Sequence, residues 1–173
     1  MEVFIVYEIG DYVIKPSDGV CRIENVLHLD MSGVDKNKLY YLLIPVGEKN
    51  KKLYIPVDTA EQSTRKTMTE DEAWRLIEKI PAIEEIWIDN EKLREQRYKE
   101  AIRSYDPAAL IGIIKATYLR NQKRLEQGKK NTLIDERYFK MAEHNLYAEL
   151  AFAMNKDESE ICQIITDNIH MKV

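Results

Sequence analysis

Hydrophobic and polar positions follow two different periods along the chain. Up to about residue 60, four short runs rich in β-branched and aromatic residues partly alternate with polar residues, a pattern typical of strands. The runs are Tyr12–Lys15, Val20–Val26, Leu39–Pro45 and Lys51–Val57. A Pro-Ser-Asp-Gly turn separates the first two, since proline presets φ and glycine accepts a positive φ. Short strands at close spacing predict a small, strongly bent sheet or barrel.

Beyond Pro56 the apolar positions recur every three or four residues, which predicts helices. Each predicted helix has a start signal, such as a side chain that caps the first turn or a proline at its first position. Five starts are predicted: a capping box at Thr69, Asn90, Asp106 followed by proline, Thr132, and Asp157.

The two periods predict an α+β chain with a small N-terminal β-barrel and a C-terminal all-α domain of about five helices. The polar run Asp58–Thr67 is predicted to contain the boundary, giving domains of residues 1–62 and 63–173. About 60 residues form only a marginal core, so the first domain is expected to depend on the segment that follows.

Charge is distributed unevenly. The whole chain of 173 residues carries a net charge of −4, but residues 92–140 contain 13 Lys and Arg against six Asp and Glu. That segment therefore carries +7 and the remainder −11. A split of this size suggests binding of a polyanion such as nucleic acid. A solvated helix surface with salt bridges accounts for the same charges, so both interpretations stay open.

The sequence lacks the usual signatures of catalysis and metal binding. It has no glycine-rich loop before a helix, no nucleophile elbow, and no His/Cys/acid cluster at metal-ligand spacing. No apolar stretch is long enough to cross a membrane, and the first residues do not resemble a signal peptide. We therefore expect a cytoplasmic non-enzyme without metal or cofactor, in which Cys21 and Cys162 stay reduced.

Several motifs follow one another along the chain at characteristic spacing. They are Gly10–Val20, Ile55–Pro56, Arg97–Lys99, Leu119–Arg124, Lys140–Ala142 and Ala148–Ala151. Together they resemble the motifs of CarD-like bacterial transcription regulators. The resemblance covers roughly residues 8–154, and its N-terminal part is shared with the transcription-repair coupling factor, whose helicase motors are absent here.

The resemblance implies a Tudor-like N-terminal barrel that binds the RNA polymerase β subunit. It also implies that the helical domain holds promoter DNA at the upstream edge of the transcription bubble, which stabilises the open complex. We expect a monomer associated with polymerase on the nucleoid. The expected polymerase contact is a basic, aromatic edge strand, because a free strand edge can extend a partner's sheet. Its residues are Lys51, Lys52, Leu53 and Tyr54, with Tyr54 where relatives often carry a basic residue.

The expected DNA contacts depart from the family pattern at one position. Arg94 occupies the place where many relatives carry a Trp that wedges into the minor groove. An arginine is expected to enter a narrowed groove instead. Trp87 lies in an apolar context that favours the core, or it is a displaced wedge. The predicted DNA-binding residues are Trp87, Arg94, Arg97, Lys99, Arg120, Lys123, Arg124, Lys129 and Lys130.

A protein-interaction adaptor is the alternative function. In that case the barrel would bind a peptide, the basic face would meet an acidic protein, and the chain would not bind DNA.

Overall fold

The computed structural model describes residues 6–171, which form two compact units that divide after Thr67. The N-terminal unit is built on a five-stranded antiparallel sheet with the strand order β4-β3-β2-β1-β5. Its strands are β1 (Tyr12–Lys15), β2 (Gly19–His28), β3 (Leu39–Pro45), β4 (Leu53–Pro56) and β5 (Arg65–Lys66).

Local turn chemistry shapes the sheet as the sequence predicts. The β1–β2 turn has positive φ at Ser17 (73°) and Gly19 (74°), the backbone region that the predicted turn requires of its glycine. The pairing of β2 with β3 shifts register between Ile23 and Asn25, which bends the long second strand.

The segment after β4 contains structure that the sequence pattern misses. A 3-10 turn (Val57–Thr59) leads into the short helix α1 (Ala60–Ser63), and β5 then pairs with β1. These elements are too short for a hydrophobic period to develop. The sheet therefore extends beyond residue 62, the predicted end of the first domain.

Within the described residues the sheet is open, with β4 at one edge and β5 at the other. The α+β class is thus confirmed, whereas the Tudor-like barrel is not. One face of the sheet carries a compact apolar core closed by the 3-10 turn and α1. The buried residues of this core are Tyr7, Val13, Cys21, Ile23, Tyr41, Leu43, Ile55, Val57 and Ala60.

The second unit contains the five predicted helices. Thr69 and Asp157 form capping boxes, and the side chains of Asn90, Asp106 and Thr132 cap the other three starts. The helices are α2 (Glu70–Lys79), α3 (Glu91–Ser104), α4 (Pro107–Glu126), α5 (Leu133–Met154) and α6 (Glu158–Ile169).

The core of this unit surrounds α4, whose middle turns are buried on every side. Leu110, Ile113 and Ile114 pack there against α5, which contributes Leu146 and Leu150. In residues 6–171 no helix combines the length and the apolar character that crossing a membrane requires. Between the 3-10 turn Ile80–Ala82 and α3, residues 83–90 form neither helix nor strand.

Candidate functional site

Trp87 lies on the surface of the helical unit, with 40% of its area exposed. Two cations from α4 lie against its ring: the Arg120 guanidinium carbon is 5.4 Å and the Lys123 ammonium 5.8 Å from the ring centroid. Both distances are within the range of cation–π attraction. Arg124 lies beside them at a shallow surface pocket of about 200 Å³, which Asp89 and Gln127 also line. We call Trp87, Arg120, Lys123 and Arg124 the Trp87 cluster.

The interpretation of Trp87 as a core residue is wrong. Its neighbours Ile86 and Ile88 are partly buried, and the Ile86 amide donates to the carbonyl of Gly112 over 3.1 Å. Ile86, like Ile83 before it, packs against the apolar core of the helical unit, while the indole of Trp87 stays exposed. The sequence pattern misses this because it records that the segment is apolar, not which of its side chains face inward.

Arg94 is not on the surface, where DNA could contact it. Only 1% of its area is exposed, and the side chain reaches into the helical unit. Its Nε donates to Asp135 Oδ1 over 3.1 Å, and its Nη1 donates to the carbonyls of Ile88 (3.1 Å) and Asp89 (3.2 Å). The expectation that Arg94 enters a minor groove is therefore wrong, since these intramolecular partners hold its buried guanidinium.

Asp135 joins Arg94 to the Trp87 cluster. Its second carboxylate oxygen accepts a 3.1 Å hydrogen bond from Arg120 Nε, and the Tyr98 hydroxyl donates to the first oxygen over 3.1 Å. Burial raises the pKa of Asp135, but the Arg120 hydrogen bond and the Arg94 charge outweigh burial and leave that pKa below its ordinary value. A charged, fully buried carboxylate thus fixes two arginines.

Arg120, which lies against the Trp87 ring, is held there by its hydrogen bond to Asp135. The sequence gives no sign of this arrangement beyond an acid in the first turn of α5, because Arg94 and Asp135 are 41 positions apart.

The remaining predicted DNA contacts fall into two groups. On α3, Arg97 pairs with Glu100 (3.1 Å) and Lys99 lies 3.6 Å from Glu95, so both cations are exposed but partly neutralised. Just after α4, Gly128 adopts a positive φ of 71°, and two exposed lysines follow it. Those lysines, Lys129 and Lys130, follow the cluster directly, and Arg124 Nε donates to the carbonyl of Lys130 over 2.8 Å.

The basic edge of the N-terminal unit lies at β4. Tyr54 is 37% exposed on this strand, and in the described part of the chain no strand pairs with its outer side. Lys52, just before β4, is exposed, whereas Lys51 is bound to Asp18 by a 2.7 Å ion pair. Leu53 packs against the core of the sheet. The structure thus brings the four predicted polymerase contacts together but gives Lys51 an intramolecular partner.

Asp18 also accepts a 2.9 Å hydrogen bond from Lys15, so it ties the β1–β2 turn to the segment that enters β4. Burial raises the pKa of Asp18, but the hydrogen bonds from Lys51 and Lys15 outweigh burial and lower that pKa overall. The nearby Cys21 thiol is fully buried, and burial together with the Asp18 charge raises its pKa to about 11.

In residues 6–171 the first unit is thus an open antiparallel sheet with β4 at one edge, beside which Lys52 and Tyr54 are exposed. Residues 7–68 match the model of the CarD-like/TRCF RID domain, which is an RNA polymerase-interacting domain. The N-terminal unit therefore belongs to the CarD-like family, and the resemblance found in the sequence is confirmed over these residues. The match ends where the helical unit begins. No curated protein matches the chain.

Proposed function

We propose that this protein is a transcription regulator that binds the β subunit of RNA polymerase through its N-terminal unit and promoter DNA through its helical unit. Together the two contacts stabilise the open initiation complex. The RNA polymerase-interacting domain over residues 7–68 is the observation that carries the proposal. The proposal assigns binding to the chain, with no catalytic step and no cofactor.

Polymerase binding is proposed at the outer edge of β4. An unpaired strand edge offers backbone N–H and C=O groups to an incoming strand, and side chains beside it select the partner. Here those side chains are Tyr54, which is part exposed, and Lys52, which adds a positive charge. A docking strand with acidic residues fits this edge.

DNA binding is proposed at the Trp87 cluster, extended by Lys129 and Lys130. An exposed indole can stack on a base or enter an opened base step, and the cations beside it neutralise phosphates. The charge excess does not depend on the buried groups. Without the buried Arg94, Lys115 and Asp135, residues 92–140 still carry eleven basic against five acidic side chains.

The polymerase contact is tested by charge reversal on the full chain. Lys52→Glu is expected to weaken capture of the isolated polymerase β subunit by about tenfold, as for a charged contact that steers and fixes a docking edge. Lys36→Glu is the matched control, since Lys36 is an exposed lysine of the same unit in the loop between β2 and β3. Equal capture of both variants and the unmodified protein would argue against docking at β4.

The DNA contact is tested by titrating a labelled promoter fragment at several salt concentrations. The double change Lys123→Ala with Arg124→Ala should weaken binding and reduce the slope of log K against log salt by about two, one for each lost phosphate contact. Arg75→Ala on α2 removes an exposed cation outside the cluster and serves as the control. If the unmodified protein does not bind the fragment, the adaptor function replaces DNA binding. If it binds and neither change affects the affinity, the DNA contact lies outside the Trp87 cluster.

A further inference from the structure

The Trp87 cluster depends on a segment without regular secondary structure. Residues 83–90 have no helix or strand ladder to satisfy their backbone groups, yet several of their side chains are partly buried. Buried carbonyls need hydrogen-bond donors from elsewhere. Two buried cations, Lys115 and Arg94, supply those donors at the two ends of the segment.

Lys115 fixes the start of the segment. The residue is 6% exposed, and its ammonium group donates to the carbonyls of Ile80 (2.8 Å), Pro81 (3.3 Å) and Ile83 (2.6 Å). An ammonium has three N–H donors, and three carbonyls here match them. One turn earlier on α4, Gly112 lets the segment approach closely, because a Cβ there would lie 3.2 Å from the carbonyl oxygen of Glu84.

Arg94 fixes the end of the segment. Its Nη1 holds the carbonyls of Ile88 and Asp89, the two residues that follow Trp87. The same guanidinium is bound to Asp135, whose other oxygen holds Arg120 against the indole. The backbone after Trp87 and one of the cations over its ring are therefore fixed by one buried carboxylate.

We infer that Arg94 and Lys115 are positioning residues for Trp87: they hold the irregular segment so that its exposed indole is presented in one orientation beside Arg120 and Lys123. This inference rests on the proposed function in taking DNA as the ligand of Trp87. The orientation itself is a property of the free protein and is tested without DNA.

Fluorescence of the free protein is the first test. In a Trp74→Phe background Trp87 is the only tryptophan, and its nanosecond anisotropy should show an indole that moves with the whole protein. Free rotation of the indole in this otherwise unmodified protein would overturn the inference, and the measurement needs no destabilising change.

Variants then identify what holds the indole. Arg94→Lys keeps a positive charge opposite Asp135 but loses the planar fork that reaches the two carbonyls, and Lys115→Met keeps the apolar stem without the donors. Each should raise acrylamide quenching of Trp87 by about twofold as the segment opens locally. Arg103→Lys on α3 and Lys140→Met on α5 are the exposed controls, which should leave quenching unchanged.

Gly112→Ala covers the case in which a buried-cation variant does not fold. It leaves both cations in place and pushes a Cβ against the Glu84 carbonyl and Ile86, so it should raise quenching in the same direction. Quenching that stays at the unmodified value in every folded variant would overturn the inference.

DNA binding separates a positioning role from a general structural role. Arg94→Lys should weaken promoter binding several-fold, with no further loss when Trp87→Ala is already present, because Arg94 acts through the indole. Additive losses would contradict the inference. If Trp87→Ala alone leaves DNA affinity unchanged, the DNA contact proposed for Trp87 fails instead, and fluorescence decides the positioning role on its own.

Discussion

The Arg120 guanidinium lies 5.4 Å from the centre of the Trp87 ring. Cations near the negative face of an indole are attracted to it, and the attraction grows as water is excluded. Since Arg120 Nε also donates to the buried Asp135, this cation does not have to be ordered when a ligand arrives. A base that contacts the indole would therefore meet positive charge already in place for the adjoining phosphate.

Removing the indole should weaken DNA binding without changing its salt dependence. Stacking of a base on an aromatic side chain contributes about 1–3 kcal/mol, so Trp87→Ala is expected to lower affinity by roughly 5- to 150-fold. Trp87→Phe should lose less, and the slope of log K against log salt should stay the same because no cation is removed. Promoter titrations measure both quantities.

Trp74→Ala is the matched control for this prediction. Trp74 is 38% exposed on α2 and has no place in the cluster, so its removal should leave DNA affinity unchanged. An equal loss in both variants would point to a general effect of tryptophan removal on the helical unit.

Asp135 should make the stability of the protein sensitive to acid. The folded-state pKa of this carboxyl lies below its ordinary value of 3.8, so its contribution is complete above 3.8 and is lost as the pH falls towards the folded-state pKa. Asp135→Asn removes one partner of a buried ion pair, which costs about 3–5 kcal/mol near neutral pH. Denaturant unfolding at pH 7 and below pH 3.8 should show the difference between the two proteins shrinking.

A difference that stays constant across that pH range would mean that folding does not lower the pKa of this carboxyl. Glu136→Gln is the control, since Glu136 is an exposed acid next in sequence whose partner is the exposed Lys140. Its effect on stability should be small at either pH.

Local signals predict most of the fold, whereas long-range pairs determine the site. Strands β1 and β3 and the helix caps at Thr69 and Asp157 follow from a few neighbouring residues, so the sequence suffices for them. β5 is missed because two residues carry no period. The burial of Arg94 is missed because it requires a partner on another helix, which a single sequence does not reveal.

Cys21 should react very slowly with thiol reagents. Its pKa of about 11 is two units above the ordinary value of 9.0, which reduces the thiolate population at neutral pH by about a hundredfold, and burial slows access further. Labelling with a maleimide at pH 7, read by intact mass, should modify the partly exposed Cys162 first. Cys162→Ser then leaves a chain labelled only as fast as the N-terminal unit opens, and rapid labelling of that variant would contradict the buried thiol.

Asp18 should support polymerase binding through Lys51. Asp18→Asn removes the charge that holds the Lys51 ammonium 2.7 Å away, and with it the tie between the β1–β2 turn and the entry to β4. If the tie orients the edge strand, Asp18→Asn and Lys51→Met should weaken binding to the polymerase β subunit to the same extent, and the double variant should lose no more than either alone. Surface plasmon resonance with immobilised β subunit measures the three affinities. Additive losses would mean that Lys51 contacts polymerase directly, independently of Asp18.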